Sequence, residues 1–303
     1  MNNRKKALVF GLVTVGIWST VASAFKIALT RLDPLQLLLM ACVASIVALT
    51  GIMSFQGKLV ELTRISRREM LRSALLGTLN PFLYYMILFK AYDLLPAQEA
   101  QPINYTWAIT LSLLSIPLLG QKMSGKDLAA IFLSYFGVVV ISTHGSPFTL
   151  EFSNLTGVGL ALASTVIWAL YWIFNTRSKA DPLAGLLLGF LYGFPLILTA
   201  TLLFSSLPTL DIPSMVAATY IGFFEMGITF VLWLTAMKYA ATPDGGGTAR
   251  IANLIFLSPF LSLIFIHFLV GEKILPSTIA GLGFIIAGNI LMQYKSKAQK
   301  KTT

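Results

Sequence analysis

A single carboxylate, Glu225, lies in the middle of a long apolar stretch that runs from residue 217 to residue 240. A charged side chain at the centre of a bilayer costs about 2.5–3.5 kcal/mol on insertion scales, so such residues usually mark a path for ions or solutes. We predict that Glu225 lines a cavity and either carries protons or binds an amino group. The alternative is a structural carboxylate that is hydrogen-bonded to a neighbouring span.

A second pair of ionisable residues, Glu99 and Arg250, occupies equivalent places in the two halves of the chain, 151 residues apart. Pro96 and Pro102 flank Glu99, and a glycine triplet precedes Arg250: Gly245, Gly246 and Gly247. Such residues interrupt helices, and the freed backbone groups survive at membrane depth only beside protein or water. We predict that these two breaks gate the two mouths of a cavity. The alternative is that both charged side chains snorkel from span ends.

Aromatic and amide side chains within the apolar stretches form a further candidate set. Trp168, Tyr171 and Trp172 share one helix face at spacings of three and four residues, and such rings can stack on a planar or apolar solute. Amides in the same stretches can fix a polar end of that solute, or simply join helices. Helix packing is the alternative for each aromatic residue taken alone. The residues predicted to line the cavity are Trp18, Asn80, Tyr84, Tyr105, Trp107, Trp168, Tyr171, Trp172, Glu225 and Asn253.

The residues that enzymes and metal sites use are sparse in this sequence. The two histidines, His144 and His267, have no ligand spacing around them, and Cys42 is the single cysteine. The sequence also lacks a phosphate-binding G-x-x-x-x-G-K-[ST] loop. We therefore predict no catalytic residues, no metal, no cofactor and no ATP-driven pumping by this chain.

Membrane spans must position these residues, because the 303-residue chain is 56% hydrophobic and only 11% charged, with a mean hydropathy of +0.79. Soluble domains carry roughly 25% charged residues. The net charge of +10 lies in short loops between apolar runs, which argues for a lipid bilayer and against a nucleic-acid partner. Ten runs can cross a hydrocarbon core of about 30 Å. They are 7–30, 34–55, 70–91, 97–119, 125–143, 156–175, 182–206, 212–238, 248–270 and 275–293.

The placement of positive charges predicts the orientation of the chain. Of the 22 Lys and Arg residues, only Arg31 and Lys273 fall in predicted outer loops, and Lys26, Lys90 and Arg250 fall inside spans. The rest lie on the inner side, so the positive-inside rule predicts cytoplasmic termini in a bacterial inner membrane. The first span also imitates a cleaved secretory signal. We favour a retained span, because it has a counterpart later in the chain.

The two halves of the chain repeat each other. Gly120-Gln121-Lys122 matches Gly271-Glu272-Lys273 at an offset of 151, Trp18 matches Trp168 at 150, and Asp33-Pro34 matches Asp181-Pro182 at 148. We therefore predict two repeats, residues 1–145 and 146–303. Five spans per half is an odd number, so the second repeat must be inverted. Inverted repeats are typical of secondary transporters, with the site near the midplane.

With these features the chain resembles the drug/metabolite transporter superfamily, EamA family. The resemblance rests on the tandem five-span units, on Trp18 followed eight residues later by Lys26, and on the Gly-Glu-Lys turn before a glycine-rich last span. The first half departs from the second in having Gln121 in place of Glu272. The resemblance implies that Lys26 lines the outer part of the pathway. It also implies a small solute, since relatives export amino acids, aromatic ones among them, and other metabolites.

Together these features predict an all-α membrane protein of ten transmembrane helices in two inverted repeats. Its expected function is that of a secondary transporter that exports small metabolites such as amino acids, by alternating access around a central cavity. The alternatives are an uncoupled channel or facilitator and, less favoured, an intramembrane enzyme. The expected partners are the small-molecule substrate and the bilayer, and the chain is expected to be a monomer or a homodimer.

Overall fold

The computed structural model describes residues 2–119, 125–149, 151–175, 178, 180–209, 211–245, 251 and 253–299, and the regular secondary structure in them is helical throughout. In chain order the α-helices are α1 (Asn3–Leu29), α2 (Pro34–Phe55), α3 (Val60–Thr63), α4 (Arg67–Gly77), α5 (Tyr84–Leu94), α6 (Ala97–Asn104), α7 (Trp107–Leu119), α8 (Gly125–Ser142), α9 (Leu155–Asn175), α10 (Pro182–Phe204), α11 (Ile212–Tyr220), α12 (Ile228–Ala240), α13 (Leu257–Phe265) and α14 (Pro276–Gln299). Shorter helical segments are Thr78–Leu83, Ile221–Glu225 and Ile266–Val270, which are π-helical, and Asn253–Phe256, a 3-10 turn.

Several helices are long and apolar enough to cross a membrane. In the part of the chain that the structure describes, these are Asn3–Leu29, Pro34–Phe55, Arg67–Leu94, Leu155–Asn175, Pro182–Phe204 and Ile212–Ala240. Shorter apolar helices lie at Leu128–Ser142, Leu254–Val270 and Pro276–Leu291. The predicted span 97–119 is interrupted, because α6 ends at Asn104 and α7 begins at Trp107. A multi-pass membrane protein follows, and the count of ten spans stays a prediction.

Asp-Pro pairs start α2 and α10. Asp33 accepts hydrogen bonds from two backbone amides of α2 at 2.8 and 3.0 Å, and Asp181 accepts from two amides of α10 at 3.0 and 3.2 Å. A proline at the start of the helix has no N–H left unsatisfied. Pro34, Pro182 and Pro213 all stand in the first turn of their helices.

The chain forms two compact units. The first contains Met1–Phe89 and Ser178–Gly271, and the second contains Lys90–Arg177 and Glu272–Thr303. Each unit therefore draws segments from both predicted repeats. The predicted repeats, 1–145 and 146–303, describe similarity between the two halves of the sequence. The position of the boundary between them stays a prediction.

In the first unit, α2 and α10 pack antiparallel, so that the start of each helix meets the end of the other. Gln36 in the first turn of α2 donates to the backbone carbonyl of Ser206 at 3.2 Å, just past α10. At the other end, Lys58 donates to Asp181 at 3.1 Å, just before α10. Burial on its own raises the pKa of Asp181, but hydrogen bonds from Lys58 and from backbone amides outweigh it and lower that pKa below its usual value.

In the second unit, α8 and α14 cross at close range through glycines. A Cβ on Gly137 of α8 would lie 2.5 Å from the carbonyl oxygen of Gly281 on α14, and a Cβ on Gly281 would lie 2.6 Å from the carbonyl oxygen of Gly137. Small residues allow backbones to approach in this way within a membrane. The glycine-rich last span is thus a packing surface for α8.

Candidate functional site

Glu225 lies at a break in the helical stretch between α11 and α12. It ends the π-helical segment, and Met226 and Gly227 separate it from α12. The hydroxyl of Thr229 donates to the carbonyls of Phe224 and Glu225 at 2.5 and 3.0 Å, which satisfies acceptors that the break frees. The side chain of Glu225 is half-buried, and its Oε1 accepts a hydrogen bond from the hydroxyl of Tyr85 at 3.1 Å.

Tyr85, the partner of Glu225, is itself fully buried at the start of α5. Its ring centroid lies 4.8 Å from that of Tyr84 and 5.4 Å from that of Phe89, so aromatic contacts fix its position. A phenolic hydroxyl can donate to an ionised carboxylate or accept from a protonated one. The pair can therefore hold or release a proton without a rearrangement of either side chain.

Asn80 lies at a second break, one turn before Tyr84. Its backbone is not helical (φ −141°, ψ 116°) and its side chain is 1% exposed. Among the described residues, neither the oxygen nor the nitrogen of its side-chain amide has a hydrogen-bond partner. A buried polar group without a partner costs about 1–3 kcal/mol, so this amide is a candidate for binding a polar group from outside the protein.

Trp18 on α1 packs against α12. Its ring centroid lies 5.4 Å from that of Trp233 and 6.4 Å from that of Phe230. Lys26 is half-buried in the last turn of the same helix. In the first unit, Glu225 thus contacts Tyr85 of α5, and Trp18 contacts α12. Neither pairing was predicted from the sequence.

The aromatic residues predicted to share a face of α9 do so. Trp168 stacks on Tyr171 with centroids 5.4 Å apart and an interplanar angle of 21°, and Trp172 meets both rings edge-on at 5.8 Å. The indole nitrogen of Trp172 is buried and has no partner within the described residues. Tyr105 and Trp107 flank the break between α6 and α7.

The Gly-Glu-Lys turn caps the start of α6. The carboxylate of Glu272 accepts from the backbone amides of Ala97 and Gln98 at 2.7 and 3.1 Å. The side chain of Gln98 in turn donates to the carbonyl of Lys273 at 3.0 Å and accepts from the amide of Leu275 at 3.0 Å. A carboxylate at a helix N-terminus satisfies free amides and complements the helix dipole.

Glu99, in the same first turn of α6, is buried and hydrogen-bonded to His144 and Ser153. Glu99 was recognisable in the sequence, but its two partners were not, because neither has a recognisable spacing to it. The available signal was the His144-Gly145 pair directly after an apolar run, since such a pair often marks a turn with positive φ.

Three of the predicted gating residues, Gly246, Gly247 and Arg250, lie outside the described residues, and so does the side chain of Asn253. Gly245 is buried, and a Cβ added there would collide with the carbonyl of Tyr239. Within the described ranges, no group of three or more His, Cys, Asp or Glu side chains is arranged to hold a metal ion.

Several known proteins are similar to this chain. A "Probable amino-acid metabolite efflux pump" of Escherichia coli is 24% identical over 94% of this chain and 93% of its own length. "Aromatic amino acid exporter YddG" of Ancylobacter novellus is 25% identical over 86% of this chain and 88% of its own length. "Uncharacterized transporter YvbV" of Bacillus subtilis is 26% identical over 73% of this chain and 71% of its own length.

A solved crystal structure has the same fold, with a TM-score of 0.66 over 98% of this chain and 99% of that one, at 20% sequence identity. The EamA-like transporter family matches residues 5–143 and again 155–294, so nearly the whole chain is covered by two copies of the family pattern. The chain therefore belongs to the EamA-like transporter family.

Proposed function

We propose that this EamA-like transporter is a secondary transporter that exports small metabolites such as amino acids, by alternating access around a central cavity. The observation that carries the proposal is the pairing of Glu225 with Tyr85 at a helix break in a membrane span. Ionisable residues inside spans line substrate or proton pathways by default. Two relatives that match most of the chain are named as exporters of amino acids or their metabolites, which supports this class of substrate.

The unpartnered amide of Asn80 supports a substrate with a polar end. Asn80 lies at a helix break and comes shortly before Tyr85, the tyrosine that donates a hydrogen bond to Glu225. An amide can donate to a carboxylate and accept from an ammonium group, and a free amino acid carries both. Within the second unit, the stacked rings of Trp168 and Tyr171 form an aromatic surface of the kind that can stack on a planar or apolar group.

The test is transport by the purified chain in proteoliposomes, measured across a panel of radiolabelled amino acids, with and without a pH gradient. A secondary transporter is expected to give saturable flux that a pH gradient accelerates. Saturable flux that ignores the gradient would favour the uncoupled facilitator. Chemical conversion of the solute would reveal the intramembrane enzyme.

The first variant to compare is Glu225→Gln, which keeps the size of the side chain and removes its ability to carry a proton. We expect the acceleration by a pH gradient to be lost, because glutamine does not titrate. Glu61→Gln is the matched control, since Glu61 is paired with Arg64 three residues away in a predicted inner loop. An unchanged transport rate with unchanged pH dependence in Glu225→Gln would contradict the assignment of Glu225 as the residue that carries the proton.

A further inference from the structure

The carbonyl of Gly222, three residues before Glu225, accepts a hydrogen bond from a neighbouring helix. In an α-helix it would accept from the backbone amide of Met226, four residues later. That amide donates instead to the carbonyl of Ile221 at 3.1 Å, and Ser45 of α2 donates its hydroxyl to Gly222 at 2.8 Å. Ser45 therefore occupies the acceptor that a regular helix through Glu225 would need.

Small residues bring α2 close enough for this contact. A Cβ on Gly222 would collide with the carbonyl oxygen of Ala41 and would lie 2.6 Å from the Cβ of Ala44. Ser45 is fully buried, and its hydroxyl oxygen also lies 2.8 Å from the carbonyl oxygen of Ala41. The single hydroxyl proton is therefore shared between two carbonyls, one on its own helix and one at the break before Glu225.

A second glycine crossing of the same kind lies in the first unit. A Cβ on Gly77, three residues before the break at Asn80, would collide with the carbonyl oxygen of Gly189 on α10. One turn along α10, a Cβ on Gly193 would lie 2.9 Å from the carbonyl oxygen of Gly77. This crossing thus has the geometry of the one at Glu225, with glycine where the other has a serine.

The two crossings also correspond in sequence. Gly222 follows Gly77 by 145 residues. At that offset the counterpart of Met226 is Pro81, which has no backbone N–H. The first break is therefore built into the chain, because proline cannot donate to the carbonyl of Gly77. The second break has no such constraint, so another group must keep the amide of Met226 from bonding to Gly222.

We propose that Ser45 is a positioning residue, which keeps the span broken at Glu225 and so holds its carboxylate against Tyr85. This role rests on the proposed function of Glu225 and adds to it a residue on another helix. Without the hydroxyl, the amide of Met226 bonds to the carbonyl of Gly222, and the π-helical turn becomes α-helical. Removing the extra residue of that turn rotates the two sides of the break by roughly 100°, because an α-helix has 3.6 residues per turn. Glu225 then turns away from Tyr85.

The first test is a double-mutant cycle of Ser45→Ala and Tyr85→Phe, measured as thermal unfolding of the full-length chain in detergent. Tyr85→Phe alone removes the hydrogen bond to Glu225 and is expected to lower the Tm by about 1–4 °C. In the Ser45→Ala background it should lower the Tm no further, because the contact is already lost there. Additive shifts would overturn the proposal, since Ser45 would then support the fold without acting on Glu225.

Two further variants keep the cycle decisive. Ser45→Thr retains the hydroxyl, so in that background Tyr85→Phe should lower the Tm as it does in the wild type. Should Ser45→Ala fail to fold, Ser45→Gly takes its place, because the chain itself has glycine at the corresponding position, Gly193, 148 residues later. A Ser45→Thr chain in which Tyr85→Phe has no effect would overturn the role of the hydroxyl.

The second test measures transport in proteoliposomes, with the amino acid that gives the largest flux in the panel above. We expect Ser45→Ala to reduce the acceleration by a pH gradient about three- to tenfold, the value of one hydrogen bond, and Ser45→Thr to restore it. Ser115→Ala is the matched control, since Ser115 is a buried serine that donates to a carbonyl of its own helix, that of Leu111, at 2.7 Å. Full acceleration in Ser45→Ala would overturn the positioning role. If the wild type shows no flux or no acceleration, the proposed function fails, and the cycle of Tm values still decides whether Ser45 positions Glu225.

Discussion

Two buried asparagines differ in whether the protein satisfies their side chains. Asn104 donates to the hydroxyl of Ser164 at 2.9 Å, whereas the described part of the chain holds no partner for the amide of Asn80. Replacing a hydrogen-bonded amide leaves its partner buried without a hydrogen bond, which lowers stability. Replacing a buried amide that has no partner removes a desolvation penalty and does not lower stability. The contrast allows a role in binding to be separated from a role in folding.

We expect Asn80→Leu to leave the Tm unchanged or slightly raised, while it raises the KM for transport about 2–10-fold, the value of one lost hydrogen bond. Asn104→Leu should instead lower the Tm, because it leaves Ser164 without this donor. The measurement is thermal unfolding in detergent beside transport kinetics in proteoliposomes. A clear fall in Tm for Asn80→Leu would mean that its amide supports the fold.

At this scale the sequence could predict which residues matter, but not their partners. Glu225 was recognisable because an ionisable group in an apolar run is costly wherever the helix packs. Its hydrogen bond to Tyr85 joins residues 140 positions apart, and the contact of Glu99 with His144 joins residues 45 apart. Such pairs depend on how helices pack and on local turns, which hydrophobic periodicity does not encode.

Among the helical elements, the crossing of α8 and α14 provides the sharpest test of packing. Gly281 meets the carbonyl of Gly137, whereas a Cβ on Gly283, two residues along the same helix, would meet nothing within 4 Å. Gly281→Ala should therefore destabilise the chain by about 1–3 kcal/mol through overpacking. Gly283→Ala should be neutral or slightly stabilising, because alanine favours a helix. Equal Tm values for the two variants would contradict this close approach.

Interruptions in the helices were predictable only where proline and glycine cluster. The two prolines around Glu99 indicated a break, and α6 does end at Asn104, just after Pro102. The apolar run 70–91 predicts one continuous span, but Asn80 departs from helical geometry within it. The stretch around Glu225 contains no proline, so its break before Gly227 had no strong local signal. The hydrogen bond from Tyr85 to Glu225 is a tertiary contact at this interruption, and local sequence does not encode it.

For the whole molecule, the predicted orientation can be tested with single cysteines, because the native Cys42 is buried and can be replaced by serine. In that background, Ser66→Cys lies in a predicted inner loop and Thr209→Cys in a predicted outer loop. A membrane-impermeant maleimide should label Thr209→Cys in intact bacteria, and Ser66→Cys only after permeabilisation. The reverse pattern would contradict the positive-inside assignment.

The repeat was visible in sequence because each half carries the same turn residues at matching places. What it could not predict is the division into compact units, since each unit takes segments from both halves. The antiparallel pairing of α2 with α10, each started by an Asp-Pro pair, supports an inverted relation between the halves. Sequence offsets relate equivalent residues, but only packing decides which helices become neighbours.

The cap on α6 has a consequence for how the chain is made. The first amides of α6, at Ala97 and Gln98, receive their acceptor from Glu272, which the ribosome adds roughly 175 residues later. Synthesis at about 5–20 residues per second leaves that helix start uncapped for roughly ten to thirty-five seconds of translation. During this interval water, lipid headgroups or the insertion machinery must satisfy those amides. The start of α6 therefore reaches its final hydrogen-bonded state only after the turn before the last span has been synthesised.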